Sequence, residues 1–311
     1  MKKLLLSLVV LAFAATGLAQ TYTLGVSIPT ATHGFMGGLN WWANEAKARI
    51  EATYPDVEVV IIASGSVTEQ ANALQDLVAI HDIDALVVLP FESDPMTGPV
   101  AEVKQQGVFI TVVDRGLVDE SIQDLYVSGD NEAFGAAAGR YFAETLGEGD
   151  NIIIVRGIAT VIDNQRYDSF VAELEGTGIN VLDSRYGNWN RDDAYEVTQD
   201  MLTAYPDIDA IWAADDDMAE GVEAAVVEAG RDGDLWIVGG AGKKEYIARL
   251  IEGDPLFPVN VSYSPAQIAT AMELTALGLV SSTPIIGEYL LSSEIITPEN
   301  AESHYFPDSP F

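Results

Sequence analysis

With 311 residues, 48 acidic side chains against 15 basic ones and a formal net charge of -33 at pH 7, the chain is long enough for two domains and is a poor partner for nucleic acid or anionic lipid, because like charges repel. It has no cysteine, which excludes disulfides, a thiolate nucleophile and a cysteine-linked lipid anchor. Its three histidines are His33, His81 and His304, and it has no HExxH or GxSxG pattern, so neither a metal nor another cofactor is expected.

The chain opens MKKLLLSLVVLAFAATGLAQ: Lys2 and Lys3, an apolar run over 4–15, then small residues at Gly17 and Ala19. This predicts a secretory signal over 1–19, too short for a spanning helix. Its removal takes away two positive charges and moves the net charge from -33 to -35. Asp, Glu, Gly or Pro interrupts every later apolar stretch, so a free periplasmic protein that is not membrane-embedded is expected. The acidic residues are scattered, which fits solubility in salty surroundings better than a cationic ligand.

Next come apolar, β-branched runs of strand length: TLGVSI (23–28), VEVVIIA (57–63), ALVVL (85–89) and VFITVV (108–113). Amphipathic stretches of helical length separate them. Strands so uniformly apolar are buried on both faces, which predicts a parallel sheet covered by helices on each side. The rhythm restarts with NIIIVRG (151–157), INVLDSRY (179–186), DAIWAA (209–214) and LWIVGG (235–240), with helices expected near 164–174, 192–204, 217–229 and 243–251. A helix over about 265–279 and one strand-like stretch, GEYLLSSEII (287–296), close the chain. The fold class is α/β, with two doubly wound parallel-sheet lobes in succession.

In such sheets ligands bind beyond the carboxyl ends of the strands. The turns there are Thr32, His33, Gly34 and Phe35; Pro90, Phe91 and Glu92; Asp114 and Arg115; Asp163, Asn164, Gln165 and Arg166; Asn188, Trp189 and Asn190; and Asp215, Asp216 and Asp217. GGAGKK (239–244) lacks the earlier Gly and the following Ser or Thr of a phosphate loop.

HGFMGGL (33–39), VVDRG (112–116), VSGDNEAFG (127–135), RGIAT (156–160), NQRYDSF (164–170), LTAYPDIDAIWAADDDMAEG (202–221) and VSYSPAQIA (261–269) stand in an order and spacing that resemble the ribose-binding-protein family of periplasmic sugar receptors, over nearly the whole chain from 24 to about 279. The resemblance implies a ligand cleft between two lobes joined by a three-strand hinge. Its crossings are expected near 128–130, near 261–263 and after 281. That makes 20–128 plus 264–283 the N-terminal lobe and 129–263 plus 284–311 the C-terminal lobe. It further implies a monomeric, non-enzymatic receptor that hands a small neutral carbohydrate or sugar alcohol to an ABC transporter permease.

A sugar needs polar groups around its rim and aromatic rings on its faces. Phe35 and Trp189 are placed to sandwich a ring, or to plug the edges of their lobes. Asp114 and Arg115 resemble the family's rim pair, with a plain strand-end ion pair as the alternative. Asp215 stands at a ligand position of the family, while Asp216 and Asp217 read as helix-capping or solvated acids. Asn164 falls where the family tends to have an arginine, with Asp163 and Arg166 as alternatives because the register shifts there. His33 and Tyr263 stand where amides are common and Ala241 where an Asp is common, so Glu92 is the candidate replacement acceptor. Two other readings share these residues: a sensor of sugars or of autoinducer-2 serving a chemoreceptor or kinase, and a glycoside-active enzyme using paired carboxylates.

Overall fold

The computed structural model describes residues 21–31 and 33–311; the expected export signal and Thr32 lie outside them. Two parallel sheets organise the chain. β1 (Tyr22–Pro29), β2 (Val57–Ser64), β3 (Ala85–Val88), β4 (Phe109–Val113) and β5 (Leu125–Gly129) form the first with β11 (Gly287–Leu291), in the order β11-β5-β4-β3-β1-β2. β6 (Asn151–Arg156), β7 (Asn180–Tyr186), β8 (Ala210–Ala213) and β9 (Trp236–Val238) form the second, in the order β7-β6-β8-β9. In each lobe the second strand lies outside the first, so the order reverses between β1 and β3 and again between β6 and β8. These switch points open the crevice where doubly wound sheets take ligands.

Residues of β3 and β8 are buried on both faces, as a covered parallel sheet requires. Ala85 and Val87 face one core of the first lobe with Leu24, Leu39 and Met272, whereas Leu86 and Val88 face the other with Leu77, Val100 and Ile110. The helices on the first core are α1 (Gly34–Thr53) and α9 (Gln267–Val280), and those on the second are α2 (Val67–Ala79) and α3 (Ser93–Gln105). The second lobe packs α4 (Asn131–Thr145) on α5 (Val161–Glu173) and α6 (Arg191–Ala204) on α7 (Asp216–Glu228), with α8 (Lys244–Glu252) beyond them. Most of the second lobe's helices start at a side-chain cap: Asp130, Thr160, Asn190 and Asp215 each accept from a backbone N–H of the first turn. Gly135 and Gly221 allow the tight helix pairs, since a Cβ there would meet the carbonyl oxygens of Arg166 and Arg191 at 1.9 and 2.0 Å.

Three segments join the lobes. The first leaves β5 for α4 through Asp130. The second leads from β10 (Asn260–Val261) to α9. The third corrects the sequence expectation: 287–296 is two strands, not one element of the second lobe. β11 pairs in parallel with β5, and β12 (Ile295–Ile296) pairs antiparallel with β10, so the crossing falls at 292–294. Hydrogen bonds from Asp130 N to the Leu291 carbonyl and from Ser262 N to the Glu294 carbonyl, both 2.9 Å, tie the three crossings together. The tail then returns along both lobes. Phe306 meets Trp42 edge-on at 5.6 Å, and Phe311 meets Phe35 at 5.8 Å.

Candidate ligand site

Strand-end turns from both sheets converge on the crevice, and their backbones are strained. Asp114, Asn188, Trp189 and Ala241 hold φ of 59, 56, 54 and 101°, values that L side chains rarely adopt. Strain of this kind concentrates at binding sites, where surrounding contacts over-determine it.

In the first lobe Asp114 is buried, and its Oδ1 accepts from the Tyr263 hydroxyl at 2.6 Å and from Gln267 Nε2 at 3.0 Å. Arg115 is therefore not its partner, contrary to the pair expected from sequence. The left-handed turn at Asp114 sends the two side chains apart, and Arg115 Nη1 donates to the carbonyls of Phe91 and Pro90. Glu92 is exposed at the N-cap position of α3 and caps nothing. His33 and Phe35 start α1 at the cleft mouth.

In the second lobe the acids Asp215, Asp216 and Asp217 have three separate surroundings. Asp215 caps α7 through Met218 N at 2.7 Å, and burial, followed by the neighbouring Asp217, pushes its pKa up to about 6. Asp216 is neither a cap nor solvated. It is fully buried and accepts from Gly240 N, Lys243 N and Asn260 Nδ2 at 2.8, 2.8 and 2.7 Å, tying together three strand ends, while burial raises its pKa to about 8. Asp217 also departs from the capping role. It reaches the other lobe, where its Oδ2 lies 3.2 Å from His33 Nδ1 and 3.2 Å from Phe35 N. Burial opposes its ionisation, yet the His33 bond and the Lys243 charge hold its pKa below the usual carboxylate value.

Of the three alternatives at the register shift, Arg166 is the one in the cleft. It is 5% exposed, and donates through Nε to Asn131 and through Nη1 to the Ala214 carbonyl at 2.8 and 2.7 Å. Its guanidinium carbon stands 4.1, 4.4 and 5.4 Å from the ring centres of Phe134, Tyr263 and Trp189. Asn164 is exposed and accepts from Arg156 at 2.8 Å, and Asp163 is buried as the ion partner of that same Arg156. Phe35 and Trp189 do not face one another across open space: contacts run from Phe35 to Tyr263 at 5.9 Å, and on to Arg166 and Trp189. Sequence reasoning missed the reach of Asp217, whose partners lie 182 and 184 residues away, and the role of Gln267 in holding Asp114.

An open cavity of about 390 Å³ lies away from this crevice, on the outer surface of α4 and α5, lined by Glu132, Val161, Asn164, Gln165, Asp168 and Ser169. It has no aromatic lining and no buried charge, so the crevice is the better-built site. Among the described residues there is no cluster of potential metal ligands and no helix long and apolar enough to cross a membrane.

A family model described as periplasmic binding protein domain matches residues 24–279. The ribose import binding protein of Bacillus subtilis is 25% identical over 237 residues, which cover 76% of this chain and 74% of that protein. Among solved structures, an ABC transporter solute binding protein from Mycobacterium smegmatis with bound glycerol superposes with a TM-score of 0.81 at 26% identity, over 93% of this chain and 98% of that one. A periplasmic solute binding protein of Actinobacillus succinogenes with bound D-allose superposes with a TM-score of 0.80 at 23% identity, over 91% and 100%.

Proposed function

Since this chain belongs to the periplasmic binding protein domain family, we propose that it is a periplasmic receptor that closes its lobes on a monosaccharide or sugar alcohol and delivers it to an ABC importer. The observation that carries this reading is the meeting of the two lobes over one polar, aromatic-walled crevice. Asp114 and Phe35 come from one side, Arg166, Trp189 and Asp215 from the other, and Asp217 spans the mouth to His33. Carboxylate and guanidinium groups held in a mostly buried crevice reward a ligand rich in hydroxyls and penalise one that leaves them unpaired. A ligand gripped from both lobes binds the closed form better than the open one, and this difference drives closure.

The relatives named above are themselves binding proteins, with ribose, glycerol or D-allose in their descriptions, and this favours capture without turnover. The site residues fit that role, since Asp114 Oδ1 already accepts two hydrogen bonds and is spent on holding the hinge. Residues 1–19 supply the export signal, and the released chain works as a monomer.

Differential scanning fluorimetry of the mature chain against monosaccharides, polyols, amino acids and short peptides tests the reading. A ligand bound only by the folded state adds about 2.7 kcal/mol at a hundredfold excess over its Kd, so a matching sugar or polyol raises Tm by several degrees. Shifts from amino acids or peptides with none from the carbohydrates would overturn it.

A further inference from the structure

The place where a ring ligand would lie against Asp114 is filled by the protein. Tyr263 enters from the second crossing, is 4% exposed, and packs so closely on Gly129 that a Cβ there would come within 2.2 Å of its ring. Its hydroxyl donates to Asp114 Oδ1 at 2.6 Å, as a sugar hydroxyl would. Beyond it, Phe35 at 5.9 Å, Phe134 at 6.1 Å and the Arg166 guanidinium at 4.4 Å close around the ring. Protein therefore runs without a break from Phe35 through Tyr263 and Arg166 to Trp189.

A phenol ring takes about the room of a pyranose ring. Protein interiors are too densely packed to absorb a second ring without displacing the first. The buried charged groups on this wall, Asp114, Asp215 and Arg166, have most of their hydrogen-bonding atoms engaged by the protein, which leaves Asp114 Oδ2, Asp215 Oδ2 and Arg166 Nη2 without a partner among the described residues. They suit a ligand with few hydroxyls. We infer, on the basis of the receptor reading above, that Tyr263 is a specificity-determining residue that shortens the crevice, so that the chain selects three- and four-carbon polyols over pyranose hexoses and cyclitols.

Calorimetric titration of the wild type with glycerol, erythritol, xylitol, ribose, glucose and myo-inositol measures the size order directly. Glycerol or erythritol is expected to bind at least about tenfold more tightly than glucose or myo-inositol, a gap of about 1.4 kcal/mol. Tyr263→Ser vacates the ring and is expected to move the optimum to the larger ligands, whereas Tyr263→Phe keeps the ring and with it the size order. A wild type that prefers glucose or myo-inositol, or a size order unchanged in folded Tyr263→Ser, overturns the inference while leaving the receptor reading intact. Should Tyr263→Ser fail to fold, the wild-type order decides alone. If none of the six binds to wild type or Tyr263→Phe, the carbohydrate reading falls, and size selection falls with it.

Discussion

The two lobes offer the crevice strand-end turns of the same kind but hold them by opposite means. The turn after β4 is held from the hinge: the Asp114 carboxylate is pinned by Tyr263 and Gln267, and Arg115 is turned back onto the carbonyls of its own lobe. The turn after β8 carries three successive acids, and each finds its own donors: the α7 backbone for Asp215, neighbouring strand ends for Asp216 and the opposite lobe for Asp217. Three consecutive acids are tolerated because their side chains diverge, backbone N–H groups meet each one, and burial keeps Asp216 protonated up to about pH 8, with the helix N-terminus adding its partial positive charge. The first lobe thus owes its site geometry to the hinge, and the second owes it to its own buried carboxylates.

The comparison breaks most sharply at Asp216. Asp216→Ala leaves two buried N–H donors and a half-buried one without an acceptor and is expected to cost at least about 2 kcal/mol in urea denaturation, at about 1–3 kcal/mol for each buried unsatisfied group. A loss below about 1 kcal/mol would show that water replaces the carboxylate and that the second lobe does not depend on it.

A smaller effect is expected at the mouth. His33→Ala removes one of the two first-lobe donors to Asp217, and the tie is partly exposed, so ligand affinity should fall no more than about tenfold. The urea midpoint should hold, because the tie lies between the lobes and not within one. An unchanged affinity would mean that closure does not use it.

Asp215 sharpens the contrast through pH. Its pKa rises from 3.8 unfolded to about 6 folded, so between these values the folded state holds the extra proton and stability falls as pH rises. Asp215→Asn keeps an acceptor for Met218 N but cannot ionise, so Tm measured from pH 4 to 7 should fall less steeply with pH than in the wild type. Asp216 contributes a slope of the same sign up to about 8 and is unaffected. Identical profiles for the two proteins would contradict the burial of Asp215 as the cause. The smallest effect is at exposed Glu92, where Glu92→Ala should change stability by less than about 0.5 kcal/mol.

Much of this fold is legible in the sequence because buried parallel strands need apolar runs, and those runs locate β1, β3, β4, β6, β8 and β9 to within one or two residues, while the partly exposed edge strands β2 and β7 follow from the βαβ rhythm. The last crossing is not legible, since GEYLLSSEII reads as one strand and carries no Gly or Pro at 292–294 where it leaves one sheet for another. In the site, turn position marks Asp114, Trp189 and Asp215 as candidates, but not which way each side chain faces. Asp114 and Arg115 are adjacent and oppositely charged, and neither the positive φ of Asp114 nor its partners Tyr263 and Gln267, about 150 residues away, can be read from that local pattern. The Thr160 cap starts α5 three residues before the predicted start, and the buried face of the helix runs through Asp163, Arg166 and Phe170, so Arg166 points inward and Asn164 outward. Asp217 meets the first lobe only once two domains are brought together, a relation that no local pattern encodes.

Hydrogen exchange measured by mass spectrometry, with and without the sugar or polyol that raises Tm, tests the central claim most directly. Ligand clasped between the lobes should slow exchange together in peptides spanning 112–117 of the first lobe and 186–191 and 214–219 of the second, since closure shields both sets of turns. Protection confined to one lobe, or to the outer α4 and α5 surface around Glu132, Gln165 and Asp168, would contradict it.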